Sequence, residues 1–213
     1  EIGDRVVHPN DHVNYGQSSN DVVPTAMHVA ALEALAKDVV PALETLHDEL
    51  EAKEQAFDDV VKTGRTHLQD ATPVRLGQEF GGYRTQIEKG VDRVESVQDH
   101  LAELALGGTA TGTGLNTHPE FPERAAEYIA EETGLPFREA DNHFEAQAAH
   151  DAMSEAHGAL RTAPGPRHKI SKDHRTTACV PSTSLTEIQP RDHTPASSIT
   201  HGTAPARAYE TPT

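Results

Sequence analysis

From Val22 onward apolar positions recur at steps of three and four, through Leu32, Leu35, Ala36, Val39, Val40, Leu43, Leu46 and Leu50, while Asp38, Glu44, Asp48 and Glu51 occupy the other face. That period predicts one long amphipathic helix running to about Val61. About forty residues at a 1.5 Å rise make a rod of roughly 60 Å, far longer than an average globular helix, which points to a bundle. Pro24 is expected in the first turn, where its missing N–H costs nothing, and Pro41 is expected to kink or break the helix. Between Lys62 and Leu76 the period stops, and "KTGRTHLQDATPVRL" reads as a loop with turn residues Gly64 and Pro73. A second helix is predicted from about Gly77 to Leu106, carried by Phe80, Ile87, Val91, Val94, Val97, Leu101 and Leu104. A Gly-rich connector follows from Gly107, then a third helix from Pro119 to about Thr133 and an Ala-rich fourth from Phe144 to Leu160.

After Arg161 the pattern is lost. Residues 161–213 hold seven of the 14 prolines, many Thr and few large apolar residues, so only a turn around His168 to Arg175 is expected to be helical. The expected organisation is all-α: a helical-bundle segment over residues 1–160 and an irregular tail over 161–213. Aromatics make up 4% of the chain and Trp is absent, so the core must come from Ala, Leu and Val, which suits packed helices better than a β-sandwich.

Charge narrows the partners. With 18 basic and 34 acidic residues the net charge is −16, which repels a phosphate backbone and excludes nucleic acid as a partner. Acidity of this size keeps a chain soluble or reflects life in high salt, where self-repulsion is screened. No apolar run reaches the ~18 residues of a membrane helix and no basic, apolar leader opens the chain, so no membrane partner is expected. The single cysteine, Cys179, excludes an internal disulfide framework and a multi-cysteine metal site, and points to the cytoplasm. The opening "EIGDRVV" has no initiator Met and reads as the interior of a longer polypeptide, so a fragment is expected.

Three polar stretches adjoin the predicted helices: "HPNDHVNYGQSSNDVVPTAMH" from His8 to His28, "GRTHLQDATP" from Gly64 to Pro73, and "TPASSITHG" from Thr194 to Gly202. Ser18-Ser19-Asn20-Asp21 is most simply a helix cap, because short polar side chains accept from the orphan N–H groups of a helix start. Capping leaves His8, Asn10, Asp11 and Gln17 unexplained. His67, one of 14 histidines, is by itself an ordinary surface residue. The glycines from Gly107 to Gly114 lack the Lys-Ser/Thr ending and the preceding strand of a phosphate loop, so they are not read as a nucleotide site. His143, His150 and His157 step by seven and could line one helix face, but without acidic partners at ligand spacing no metal is expected. Cys179 has no local base, which makes a thiol nucleophile a weak candidate. In a long-helix bundle, loops remote in sequence meet at one end and ends of different subunits meet too, so the three stretches could share a site.

The first two stretches, extended to "GRTHLQDATPVRLGQEF", together with "ELALGGTATGTGLNTHPEF", resemble class II fumarases of the fumarase/aspartase superfamily. The resemblance is dense from Arg5 to Arg161 and continues in patches such as "HKISKD", "SLTEIQ" and "SSI". His67 stands where aspartases tend to carry Gln, and Ser19 where they carry Thr, so fumarase is favoured within the superfamily. Argininosuccinate and adenylosuccinate lyases share the architecture but not these strings. The resemblance implies part of a central helical domain, lacking both terminal domains. It implies a cofactor-free fumarate hydratase of the tricarboxylic acid cycle, interconverting fumarate and (S)-malate. When full length it would be a homotetramer with active sites built from three subunits. Carried over by motif, Ser18, Ser19, Asn20 and Thr66 bind substrate, Ser197 is the base, and His67 paired with Glu210 acts on the water. Arg5, His8, Asn10 and Asp11 match a second dicarboxylate site near the entrance.

The third motif departs from the family pattern Gly-Ser-Ser-Ile-Met-Pro-Gly-Lys-Val-Asn-Pro. Here it reads "ASSITHGTAPA", with Ala196 for Gly, His201 for Pro, Thr203 for Lys and Pro205 for Asn. Loss of a cation beside developing negative charge costs about 3 kcal/mol, or roughly 10²-fold in rate. Pro164 and Pro166 also interrupt what is a helix in the family. The chain alone is therefore expected to be inactive and aggregation-prone. The competing expectations are a non-catalytic helical scaffold or pseudoenzyme, and another lyase of the superfamily such as aspartase.

Overall fold

The computed structural model describes residues 7–67, 69–162 and 169–173. Arg5, Ser197 and Glu210, with the whole third motif, lie outside the described residues. Among those described the architecture is helical: α1 (Ser19–Ala34), α2 (Val40–Ala56), α3 (Leu76–Ser96), α4 (Gln98–Leu101), α5 (Phe121–Thr133), α6 (His143–Ala148) and α7 (Asp151–Thr162). Residues 169–173 are also helical, inside the turn expected around His168 to Arg175. Two small sheets complete the set, β1 (Val61–Thr66) with β2 (Gln69–Arg75) and β3 (Glu103–Leu104) with β4 (Arg138–Glu139).

The long helix predicted from Val22 exists, but Pro41 does not end it. A π turn over Leu35–Val39 precedes the proline, and the Val40 N–H reaches back to the Leu35 carbonyl. The wider turn gives the pyrrolidine ring room where an α turn would press it against a carbonyl, so the chain continues helically to Ala56. Pro24 sits deeper than expected, at the sixth helical residue of α1, and withholds the N–H that the Asn20 carbonyl would otherwise accept.

The described parts of Glu1–Ala42 and Val91–Leu160 form one compact unit, and those of Leu43–Gly90 and Arg161–Thr213 another. In the first, α1 packs on α4, β3 and α6. Its core includes Leu32, Val94, Leu101 and Leu104, all fully buried, with Leu35, Val97 and Phe137. The second predicted helix was to reach Leu106 and stops earlier. The carbonyls of Ala102 and Leu104 accept N–H groups from Arg138 and Ala140, so tertiary pairing replaces the helical ladder with the parallel β3–β4 contact. The third helix starts at Phe121, two residues after the Pro119 expected to open it, with Pro122 in its first turn; it ends at Thr133 as expected, where Gly134 takes the left-handed conformation (φ 72°). The fourth is split, because Ala149 is extended between α6 and α7. His143, His150 and His157 therefore fall on α6, the break and α7, and do not line one helix face.

In the second unit the expected loop from Lys62 to Leu76 is an antiparallel hairpin, with Val61 opposite Arg75 and Thr66 opposite Gln69 and an irregularity between Thr63 and Arg65. Pro73 is tolerated because the two-stranded sheet has only edges. Lys62 donates to both carboxylate oxygens of Glu79 at 2.9 Å, tying the hairpin to α3. Helix α3 lies close against α2 at Gly77, where a Cβ would lie 2.5 Å from the Glu54 carbonyl. The Arg84 guanidinium bonds Glu54 at 2.7 Å, and Phe80 packs between Phe57 and Tyr83 at ring centroid distances of 5.3 and 5.9 Å. The Tyr83 hydroxyl donates to Asp173 at 3.0 Å. Burial, and then the neighbouring Asp173 carboxylate, push that phenol well above its ordinary range.

Candidate active site

The start of α1 is built by reciprocal capping. The Ser18 hydroxyl accepts the Asn20 N–H at 3.2 Å, and Asp21 Oδ1 accepts the Ser18 N–H at 2.9 Å. The cap therefore holds, yet it leaves groups over. Ser19 is exposed, and its hydroxyl has no hydrogen-bond partner among the described residues. Asn20 Nδ2 donates to the Ala110 carbonyl at 2.8 Å, which orients its amide toward the Gly-rich connector. Orphan N–H groups and the positive end of a helix together favour a carboxylate at this point.

The preceding segment is a π turn, Pro9–Val13, capped by His8, whose Nδ1 accepts the Asp11 N–H at 3.2 Å. The His8 N–H in turn donates to His12 Nδ1 at 2.8 Å. With Nδ1 acting as acceptor in both rings, each neutral imidazole carries its proton on Nε2 and offers it as a donor. Asp11 Oδ2 also lies 3.2 Å from His8 Nδ1, but with the lone pair committed to a backbone N–H this is a contact rather than an ion pair in the neutral ring. Asn10 and Asp11 are exposed. Gln17 donates to the Val13 carbonyl at 3.1 Å and links the π turn to the cap. His12, with its role in this network, was not singled out from the sequence.

Thr66 and His67 lie in the other unit, at the tip of the β1–β2 hairpin. Both are exposed, and Arg65 and Asp70 pair across the strands behind them at 3.2 Å. His67 has φ 52°, a left-handed conformation that is uncommon for a non-glycine residue and that the two-residue turn between the paired Thr66 and Gln69 calls for.

Asp21 is the residue that sequence reasoning left as a mere cap. It is fully buried, and its second oxygen accepts the N–H groups of Gly107 and Thr109, both at 3.0 Å. The Gly112 and Gly114 N–H groups go to the Gly108 carbonyl. These donors are thus satisfied within the fold. Beside Asn20 opens a cleft of about 370 Å³, lined also by Ala110, Thr111, Phe144, Gln147 and Ala148. A second cleft, of about 410 Å³, is lined by His28, His100, Glu103, Glu145, Asp151 and Glu155, and its carboxylates carry the wrong sign for a diacid.

Residues 1–200 match the family described as Lyase. The chain belongs to this lyase family. Among its lyase relatives is the fumarate hydratase class II of Halobacterium salinarum, 73% identical over 202 residues, which are 95% of this chain and 43% of that protein. The fumarate hydratase class II of Nitrosomonas europaea is 57% identical over 198 residues, 93% of this chain and 43% of its own length. Of solved structures, recombinant class II fumarase from Schistosoma mansoni superposes with a TM-score of 0.92 at 36% identity, covering 98% of this chain and 47% of that one. The native form of fumarate lyase:delta crystallin from Brucella melitensis gives 0.83 at 34% identity, covering 95% and 45%. The chain thus spans less than half the length of the relatives it matches, and it shares their helical fold.

Proposed function

We propose that this chain carries substrate-binding loops of a fumarate hydratase, which adds water reversibly to fumarate to give (S)-malate. The observation that supports this most is the 73% identity over 95% of the chain to a fumarate hydratase class II, which takes in the Ser18–Asn20 and Thr66–His67 loops. Malate loses a proton from the carbon alpha to one carboxylate and hydroxide from the next carbon. The proton is weakly acidic, so positioned donors must hold the carboxylate on which charge accumulates. Ser19, whose hydroxyl at a helix N-terminus has no partner among the described residues, and Ser18 and Asn20 beside it fit that task. Thr66 and His67 add donors from the hairpin tip. Ser197 takes the carbon-bound proton, and His67 with Glu210 delivers a proton to the departing hydroxyl, which leaves as water. Arg5, His8, Asn10 and Asp11 form the second dicarboxylate site, with the Nε2–H of His8 as one donor. The complete enzyme is a cytoplasmic homotetramer.

The test uses two proteins, the purified chain and a chimera in which residues 7–162 replace the matching segment of the Halobacterium salinarum relative. Hydration of fumarate is followed by loss of its ultraviolet absorbance. The chain alone is expected to show no turnover at any salt concentration, and the chimera to work within about tenfold of the relative. A folded chimera that leaves fumarate and malate untouched, or that prefers aspartate, overturns the reading.

A further inference from the structure

We infer that Asp21 is a positioning residue for diacid binding, one that sets Ser18, Ser19 and Asn20 in place by anchoring them to Gly107–Ala110; this rests on the function proposed above. A capping box needs one carboxylate oxygen on one N–H, and it ordinarily sits at a solvated helix start. Asp21 departs from that in three ways. Its side chain is fully buried. Its oxygens hold the Ser18 N–H at 2.9 Å and, 86 and 88 residues away, those of Gly107 and Thr109 at 3.0 Å. No cation pairs with it among the described residues. Burying a carboxylate without a countercharge is costly, and three backbone donors are what makes it tolerable.

Further costs gather at the same point. Thr109 is β-branched and yet has φ 59°. The hydroxyls of Thr25, one turn along α1, and of Thr109 are buried without a hydrogen-bond partner among the described residues. A simple cap requires none of this. The connector is also held from its far side, where Gln147 donates to the Thr109 carbonyl at 2.7 Å. With the Ser18 N–H on Asp21 and the Asn20 amide on the Ala110 carbonyl at 2.8 Å, both neighbours of Ser19 are fixed, and the Ser19 hydroxyl is the group left to meet a ligand. Strain and unmet bonding of this kind persist where a fixed geometry is being held for function.

The chimera described above carries the test, with Asp21→Asn, Asp21→Glu and the core control Leu32→Ala. The chimera with Asp21 intact must hydrate fumarate; if it does not, the functional reading fails and this inference with it. Given that activity, Asp21→Asn is expected to lower kcat/KM about 10²-fold, with KM for fumarate rising at least tenfold. Leu32→Ala, fully buried in the same helix, is expected to lower the melting temperature as much while keeping kcat/KM within threefold. Asp21→Glu keeps the charge but adds a methylene that displaces the cap, and it is expected to fall between the two in kcat/KM. Should Asp21→Asn fold poorly, Asp21→Glu assayed in the cold decides by the same KM criterion. Kinetics for the Asp21 variants like those of Leu32→Ala overturn the inference alone, as does failure of both to fold where Leu32→Ala folds.

Discussion

His67 shows how a single residue can be held against its own preference. At φ 52° an L-residue with a bulky side chain gives up roughly 1 kcal/mol, whereas Asn tolerates that conformation well. His67→Asn is therefore expected to leave urea unfolding of the chain unchanged or slightly more stable, by up to about 1 kcal/mol, while lowering kcat of the chimera at least tenfold. An equal loss of stability and activity would assign His67 to the turn alone. The same scale shows what the sequence reveals about a site. Ser18 as a cap is legible, because a short polar residue before a helical period has few other uses. Asp21 is not, because two of its three donors come from 86 and 88 residues away and nothing local distinguishes it from a surface cap residue. The shared tautomer of His8 and His12 needs coordinates for the same reason.

Among the elements, helices with a strong apolar period are found where the period places them, and errors fall where tertiary pairing takes over. The hairpin is not legible in the sequence because almost every position in β1 and β2 is exposed or half-buried, so no in-out alternation can appear there. The end of the second predicted helix was lost to Arg138 and Ala140, which draw the Ala102 and Leu104 carbonyls into β-type bonds. Between α4 and α7 one contact gives a pH-dependent effect. His100 Nδ1 lies 2.6 Å from Glu155, and the hydrogen bond and charge of that carboxylate raise the imidazole above its ordinary value. A raised folded-state value means the contribution is fully present below the unfolded value, near pH 6.5, and is lost as pH rises through the higher folded one. Both side chains are about half exposed, so the pair is weak. Relative to His100→Gln, the unaltered chain should gain about 1–3 °C in melting temperature at pH 5.5 and nothing at pH 8.5, read by circular dichroism. A difference that is flat across that range would refute the pairing.

For the molecule as a whole, the ratio of 34 acidic to 18 basic residues dominates the long-range electrostatics. Salt weakens local ion pairs such as Lys37–Glu33 and Arg124–Glu120, and it also screens the mutual repulsion of the excess carboxylates. Repulsion should win, since exposed pairs contribute little while a net charge of −16 acts everywhere. Raising potassium chloride from about 0.1 to 2 M, which shrinks the screening length from about 10 Å to under 3 Å, is expected to raise the melting temperature by several degrees. A fall over that range would show that the ion pairs outweigh the repulsion. The turn ahead of Pro41 has a meaning of its own at this scale. A helical rod that swallows one surplus residue in a single widened coil passes the rest of its length on in phase. Every side chain from Val40 to Ala56 then keeps the compass bearing it would have had without the extra residue. A gain or loss of one residue at Leu35–Val39 can in this way be local in its effect, where the same change elsewhere in the rod would turn everything downstream by about 100°.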